Sequence, residues 1–335
     1  MTLQSVIPRL CRFVTRFGHM SAVKVSAIVP TIGRPESLCR LFKSLLIQSR
    51  LPDEVIVADA SDDDAVGDLV AQSHWQAEGL KLRYLRVRPP NAVRQRHAAI
   101  ALAASEFILL LDDDVVLEPQ CVEQLYGLLQ HNPEVVAVTA DFNNQSWSQP
   151  TRLWRLYLRI GHGLRDGQWQ GKVIGPLLRF GYCPVPAEPV QMEWLGAGNS
   201  LIRESAFKRV GGFSDFFLCR STMNEDVDLG IKLHRLGTIL LCPTARMGHF
   251  HAAKGRVSTA IAAEDDLYNR YMILRRTLNY SASKSFALVI MYFLVESVSS
   301  VYAAARRAGC TEAVAQFTGR LRAVGRVLMS GRNFL

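Results

Sequence analysis

The sequence predicts an α/β fold of Rossmann-like type: a mostly parallel sheet flanked by helices, with a helical region appended at its C-terminal end. Three observations predict it. Short apolar runs alternate with segments of helical periodicity from Val25 to Thr139, the pattern of βα units. One of those runs, Phe107–Leu111, passes directly into Asp112-Asp113-Asp114. That places carboxylates at the C-terminal end of a buried strand, where open α/β sheets bind ligands. After Arg256 the rhythm gives way to long helical stretches, one of which holds the unbroken apolar run Phe286–Val295.

Composition sets the bounds. A chain of 335 residues, 49% of them hydrophobic, suffices for one large domain plus an appendage and excludes wholesale disorder. The formal net charge of +9 points to an anionic partner such as a membrane surface or a phosphorylated ligand. Nucleic acid is not expected, because the acidic cluster sits where its groove would be. The cysteines, Cys11, Cys39, Cys121, Cys183, Cys219, Cys242 and Cys310, are scattered and form no C-x-x-C pair. They read as reduced thiols of a cytosolic compartment, with no zinc site.

The elements follow in order. Residues 1–22 form a basic leader, in which Leu3, Ile7, Leu10, Phe13 and Phe17 fall at helical spacing and Arg9, Arg12 and Arg16 share another face. That suits an amphipathic helix lying on a membrane; Pro8 interrupts it, and a frayed leader is the other reading. No sustained apolar core follows the charge, so it is not a signal peptide. Val25–Val29 is a strand closed by Pro30, and Thr31–Pro35 a loop. Glu36–Gln48 is a helix with Leu38, Leu41, Phe42, Leu45 and Leu46 on one face. Glu54–Ala58 is a strand ending in Asp59, Lys81–Val87 a more exposed strand, and Ala92–Ala104 a helix carrying Arg94 and Arg96. Beyond the acidic cluster come a helix over Glu118–Gln130 and a strand over Val135–Thr139.

Residues 142–192, with Trp147, Trp154 and Trp169 and several arginines, are too long for a βα connection and read as an insertion. It is either an acceptor loop beside an active site or surface decoration packing its own aromatics. Strand-like order returns over Glu193–Ile202, and a short helix over Glu204–Val210 ends at Gly211-Gly212. Asn224 can cap a helix whose first turn is acidic and whose end is Gly237. Thr238–Cys242 and Ala245–Met247 are strands, followed at once by His249 and His251. Residues 257–335 form a C-terminal helical region with a helix over Ala263–Leu278. The run Phe286–Val295 is shorter than the ~20 residues a clean span needs. It is expected to lie in or against the membrane with arginine-rich flanks; a full span and a buried core helix are the alternatives.

The chemistry starts from repulsion. Adjacent carboxylates raise each other's proton affinity unless a cation neutralises them, and their oxygens suit a hard divalent ion. Asp59, Asp112–Asp114, Glu225-Asp226 and the pair His249 and His251 all follow strands or open helices, so a parallel sheet can bring them to one rim. Each also has a plainer reading. Asp59 could be a turn residue, Glu225 and Asp226 acids favourable to a helix dipole, and the histidines ordinary strand-end residues. Asp62–Asp64 lies among turn formers and reads as solvated.

Taken together, VSAIVPTIGRPESL with EVIVADASD, the helix around Arg96, LLLDDDVVLEP, GAGNSLIRESAFKRVGGF and NEDVDLGIKLHRLG resemble the inverting family-2 glycosyltransferases of GT-A fold. The resemblance covers about residues 23–256. It implies a metal-dependent transfer of a hexosyl or related sugar from a nucleotide-diphosphate sugar to a hydroxyl acceptor. It also implies residue roles. Asp112 and Asp114 match the D-x-D signature: Asp114 would ligate the metal bridging the diphosphate, and Asp112 would face the ribose or the metal's water. Asp113 counts with the donor-binding residues. Thr31, Arg34 and Asp59 match positions that hold the nucleoside, and Arg96 would approach the diphosphate. Asp226, in an E-D pair with Glu225, would be the general base. His249 or His251 would complete the shell of Mn²⁺ or Mg²⁺, an imidazole favouring Mn²⁺.

Ala58 stands where the family often has a second Asp, and His97 and Ala99 where Asn and Gly are common; these departures bear on nucleotide preference. No Q-x-x-R-W motif is present, which implies single addition rather than polymerisation. The expected acceptor is a lipid-linked or surface-polysaccharide glycan at the cytoplasmic face of the cell membrane. Two rivals remain. A nucleotidyltransferase would need a Gly- and Lys/Arg-rich loop after the first strand, whereas Pro30–Pro35 has one Gly and one Arg. A non-catalytic basic binding protein with an inactive transferase fold sits poorly with intact Asp114 and Asp226.

Overall fold

The computed structural model describes residues 25–147, 149–218, 222–251, 257–307 and 310–332; the leader read over residues 1–22 lies outside them. The apolar runs become strands and the periodic segments helices. In the N-terminal half these are β1 (Val25–Thr31), α1 (Pro35–Leu46), β2 (Glu54–Asp59), the short α2 (Ala65–Val70) and α3 (Ser73–Ala77), β3 (Leu82–Arg86), α4 (Ala92–Leu102), β4 (Phe107–Leu111), β5 (Val115–Leu117), α5 (Cys121–Gln130) and β6 (Val135–Phe142). Within the insertion lie α6 (Arg152–His162), the small hairpin β7 (Val173–Ile174) and β8 (Leu178–Arg179), and β9 (Val190–Met192). Then follow β10 (Asn199–Arg203), α7 (Glu204–Arg209), α8 (Glu225–His234) and β11 (Thr238–His249). The C-terminal helices are α9 (Thr259–Met272), α10 (Ala282–Arg307) and α11 (Cys310–Arg332).

The main sheet runs β3-β2-β1-β4-β10-β6-β11-β5, with β9 also on β11. β3, β2, β1 and β4 are mutually parallel, as are β6 and β11. β10 lies antiparallel between β4 and β6, and β5 and β9 are antiparallel to β11. This register decides the site: Asn199 of β10 faces Leu111 of β4, so the turn before β10 meets the acidic end of β4. β11 is one strand with an irregularity between Cys242 and Arg246, where the sequence reads as two.

Strand side chains alternate between the sheet's faces, and two cores result. On one face Ala27, Val29, Leu109 and Leu111 pack with Leu38, Leu41 and Phe42 of α1 and Val122, Leu125 and Leu129 of α5. On the other, Ile28, Ile108 and Leu110 join Val93 of α4, Leu229 and Leu233 of α8, Leu267 of α9 and Val289 of α10. The C-terminal helices therefore share the core of the sheet. Residues 282–302 of α10 are long and apolar enough to cross a membrane, with a mean hydropathy of 1.6, yet Val289 and Tyr292 are buried while Leu294, Val298, Val301 and Tyr302 are exposed. The apolar stretch outruns Phe286–Val295 because Glu296 and the serines after it stay within the same helix.

Candidate active site

The buried strand β4 delivers its three carboxylates to three different surroundings. Asp112 accepts from Arg96 Nη2 at 2.8 Å. Asp113 is almost fully buried; Thr31 Oγ1 donates to it at 2.6 Å and Arg34 Nη1 at 3.0 Å. Burial pushes the Asp113 carboxyl up to about 6, against the pull of Arg34 and Thr31. Asp114 faces the end of β11: His249 Nε2 stands 3.0 Å from its Oδ1. Arg34 Nη1 also lies 3.8 Å from Asp114 Oδ2, so this guanidinium is shared by Asp113 and Asp114 while Asp112 turns to Arg96.

Asp114, His249 and His251 gather ligand atoms within 4.8 Å of one another. The imidazole rings lie 4.0 Å apart, and Gln145 Nε2 reaches His251 at 3.1 Å. One carboxylate with two imidazoles is a donor set that fits Mn²⁺ better than Mg²⁺, because nitrogen ligands suit transition metals. Asp112 is not in this cluster; its arginine partner holds it on the other side of the segment.

Glu225 and Asp226 open α8 opposite. Arg96, itself buried, bridges Glu225 to the acidic end of β4: Nη1 donates to Glu225 at 3.1 Å and Nη2 to Asp112. Burial first, then the adjacent Asp226, raises the Glu225 carboxyl to about 7 although Arg96 opposes the shift. Asp226 takes its own Val227 N–H at 2.8 Å on Oδ1 and an ion pair with Arg179 of β8 on Oδ2. Gly198 completes the floor. A Cβ there would stand 2.2 Å from Asp112 Oδ2, so only glycine lets the turn before β10 approach the carboxylate.

Two cavities meet at this cluster. The larger, of about 810 Å³, is lined by Thr31, Arg34, Asp113 and Asp114. The smaller, of about 290 Å³, is lined by Asp226, Arg179, Trp147 and Trp194. Arg96, Asp112, Glu225, His249 and His251 border both. Of the residues given binding, catalytic or metal roles by the resemblance, Asp59 lines neither. It is fully buried, with its oxygens taken by Ser61 N–H at 2.8 Å and Tyr84 OH at 2.8 Å.

Sequence reasoning missed Arg179 and Trp194 as individuals. Both lie in or next to the aromatic and basic insertion, and that composition was their one signal. Trp147 meets Trp194 edge to face at 4.9 Å and lines the smaller cavity. Trp154 and Trp169 do otherwise: Trp154 donates to Glu296 of α10 at 2.9 Å, and Trp169 is buried with Leu158 and Ile174. The insertion therefore both borders the site and packs its own aromatics.

Residues 26–179 match the family model for glycosyl transferase family 2, so the resemblance read in the sequence holds over that range. Over 272 residues, 77% of this chain, the sequence is 25% identical to the O-antigen biosynthesis protein RfbC of Myxococcus xanthus, of which the match spans 20%. Over 113 residues, 32% of this chain, it is 28% identical to the poly(ribitol-phosphate) beta-N-acetylglucosaminyltransferase TarP of Staphylococcus aureus (strain N315), of which the match spans 34%. The chain thus spans about a fifth to a third of the length of these curated relatives. The solved structure of GalNAc-T7 with UDP, GalNAc and Mn²⁺ superposes with a TM-score of 0.56 at 13% identity, covering 77% of this chain and 48% of that one. That likeness shows the fold, which is of GT-A type.

Proposed function

We propose that this chain is a metal-dependent, inverting glycosyltransferase of family 2 that adds a single sugar from a nucleotide-diphosphate donor to a hydroxyl of a glycan acceptor. The observation that carries the reading is the meeting of two unequal cavities at a cluster of metal-ligand type. The larger suits a nucleotide-sugar, with Thr31, Arg34 and Asp113 along its wall. The smaller, with two tryptophans against which a sugar ring can stack, suits the acceptor.

Asp114, His249 and His251 would hold Mn²⁺, which when bound neutralises charge on the departing diphosphate as a Lewis acid. Arg96 offers that diphosphate a fixed cation at the junction of the cavities. Asp226 removes the acceptor's proton as the new bond forms. Both its oxygens are engaged, so the acceptor hydroxyl reaches Oδ2 by displacing Arg179. Direct attack from the smaller cavity on a donor in the larger one inverts the anomeric carbon. Glu225, held on Arg96, keeps the E-D turn against the sheet end.

The acceptor we infer is a lipid-linked or surface-polysaccharide glycan, met at the cytoplasmic face of the cell membrane. Two surfaces support this. α10 presents Leu294, Val298, Val301 and Tyr302 outwards. α6, which docks on α10 through Trp154, exposes Leu153, Leu156 and Ile160 beside Arg152, Arg155 and Arg159. An apolar stripe flanked by arginines is what an anionic lipid surface binds.

The test is calorimetric titration of UDP, GDP and dTDP, with Mn²⁺ and with EDTA, on wild type and Asp114→Ala. Metal-dependent binding of one nucleotide, lost in the variant, supports the reading and names the donor class. A folded protein that binds none of the three with metal present would overturn it.

A further inference from the structure

Asn224 and Leu177 have backbones in the left-handed region, at φ 70° and 63°. Asparagine enters that region readily, whereas leucine does so rarely and only where its surroundings impose it; one ion pair contacts both residues. Asn224 does not cap α8 with its side chain; Nδ2 donates to Asp266 Oδ1 at 2.9 Å. The carbonyls of Pro176 and Leu177, at the turn of the β7–β8 hairpin, accept from Arg270 Nη1 at 3.0 Å and 2.5 Å. Asp266 and Arg270 sit one turn apart on α9 and clasp each other. Arg270 Nε lies 3.1 Å from both carboxylate oxygens and its third nitrogen 3.0 Å from Oδ1. Tyr292 of α10 donates to Asp266 Oδ2 at 2.8 Å, and its ring lies 4.3 Å from the guanidinium. Asn269 adds a bond to the Met223 carbonyl at 2.9 Å.

We propose that Asp266 and Arg270 are positioning residues for Asp226, a role that rests on the reading of Asp226 as the base. They grip it from two sides. Through Asn224 the pair sets the backbone two residues before Asp226, where α8 begins. Through Pro176 and Leu177 it sets the turn that leads into Arg179, the cation that holds the Asp226 carboxylate in place until the acceptor displaces it. The guanidinium's planar fork makes this double grip possible, because it satisfies a carboxylate with one edge and two carbonyls with the remaining nitrogen. A lysine could keep the charge pair and would release the hairpin.

The experiment compares wild type, Arg270→Lys and Tyr292→Phe, all full length. Hydrogen exchange is followed over residues 174–181 and 222–230. Hydrolysis of a panel of UDP-, GDP- and dTDP-sugars with Mn²⁺, water taking the sugar in place of the glycan, is measured by nucleotide release. In Arg270→Lys, exchange rises in the hairpin segment, with α1 and α5 unchanged. Turnover falls about tenfold or more, as small misplacements of reacting groups produce, while the donor KM stays near that of wild type. Tyr292→Phe shows the same pattern at smaller amplitude, led by residues 222–230. Unchanged exchange in both segments, or a uniform rise throughout the helices, would overturn the proposal. If the wild type binds no nucleotide with Mn²⁺ and hydrolyses no donor, the transferase reading fails, while exchange in the two segments still decides whether the ion pair holds them.

Discussion

Gly198→Ala separates a residue that shapes chemistry from one that stabilises the fold. The new methyl would stand 2.2 Å from Asp112 Oδ2 and 2.4 Å from its Cγ, about 1 Å short of ordinary contact. The cheapest relief is rotation of Asp112, a short side chain that is one-third exposed. Moving its carboxylate by about 1 Å stretches the 2.8 Å bond to Arg96 beyond hydrogen-bond range. A hydrogen bond to a charged group contributes about 1.5–3 kcal/mol, and partial exposure places this one towards the low end. If Asp112 and Arg96 hold the donor in register, a loss of about 1.4 kcal/mol lowers turnover about tenfold. Stability should hardly change, because the clash is met by a side chain and not by backbone; the thermal midpoint should move by no more than about 4 °C. The assay is nucleotide release from the donor named by titration, with a thermal melt alongside. Wild-type turnover, together with a structure of the variant that keeps the Asp112–Arg96 bond, would refute the reasoning. A collapse of the melting temperature would refute it differently, by making Gly198 a packing residue.

Three further outcomes are expected. Asp226→Asn should lower turnover about 10²- to 10⁴-fold, the range for loss of a general base, with binding of Mn²⁺ and of the nucleotide named by titration retained by calorimetry. Glu225 is raised to about 7 from 4.5 by burial and by Asp226. Its bound proton therefore favours the folded state, an advantage complete below pH 4.5 and lost as the pH rises through about 7; urea midpoints in EDTA should fall from pH 5 to 7.5 in wild type more than in Glu225→Gln. Leu156→Glu with Ile160→Glu should weaken co-sedimentation with anionic vesicles at least about tenfold, given that burying each side chain contributes about 1.5–3 kcal/mol, and leave the melting temperature unchanged because both are exposed. Equal sedimentation of variant and wild type would mean that α6 does not face the lipid.

Much of the site was legible because its chemistry is local in the chain. The end of β4, the E-D turn of α8 and the histidines after β11 each carry their own signal: an apolar run, a capped periodic segment, or a strand followed at once by imidazole. Arg96 was legible too, as the basic residue of a helix packed on the same sheet. Asp59 was read correctly as ending a strand, but its full burial under Ser61 and Tyr84 was not readable. Those partners reach it through a loop and a neighbouring strand that no periodicity links. Arg179, Trp194 and the Asp266–Arg270 pair stayed hidden for a related reason. Residues 142–192 and the C-terminal helices have no register relative to the sheet until they are packed.

What the sequence determined by itself was most of the sheet's strands, the helices α1, α4, α5 and α8 beside them, and the side-chain types at their ends. Alternation of apolar runs with 3.6-residue periodicity specifies strands and helices, and side-chain type specifies what each end can ligate. What only the tertiary structure decided was the pairing of those groups. β10 runs antiparallel beside β4, and this brings Gly198 against Asp112. α4 brings Arg96 to Asp112, the end of β1 brings Thr31 and Arg34 to Asp113, and β11 brings His249 to Asp114, which also lies 3.8 Å from Arg34. Residues adjacent in sequence meet different neighbours because the chain turns at once after β4, between the ends of β1 and β11 and the start of α8. Which partner waits there depends on contacts that range from 16 residues away in the chain, for Arg96, through 82 for Thr31, to the far end of the sheet for His249.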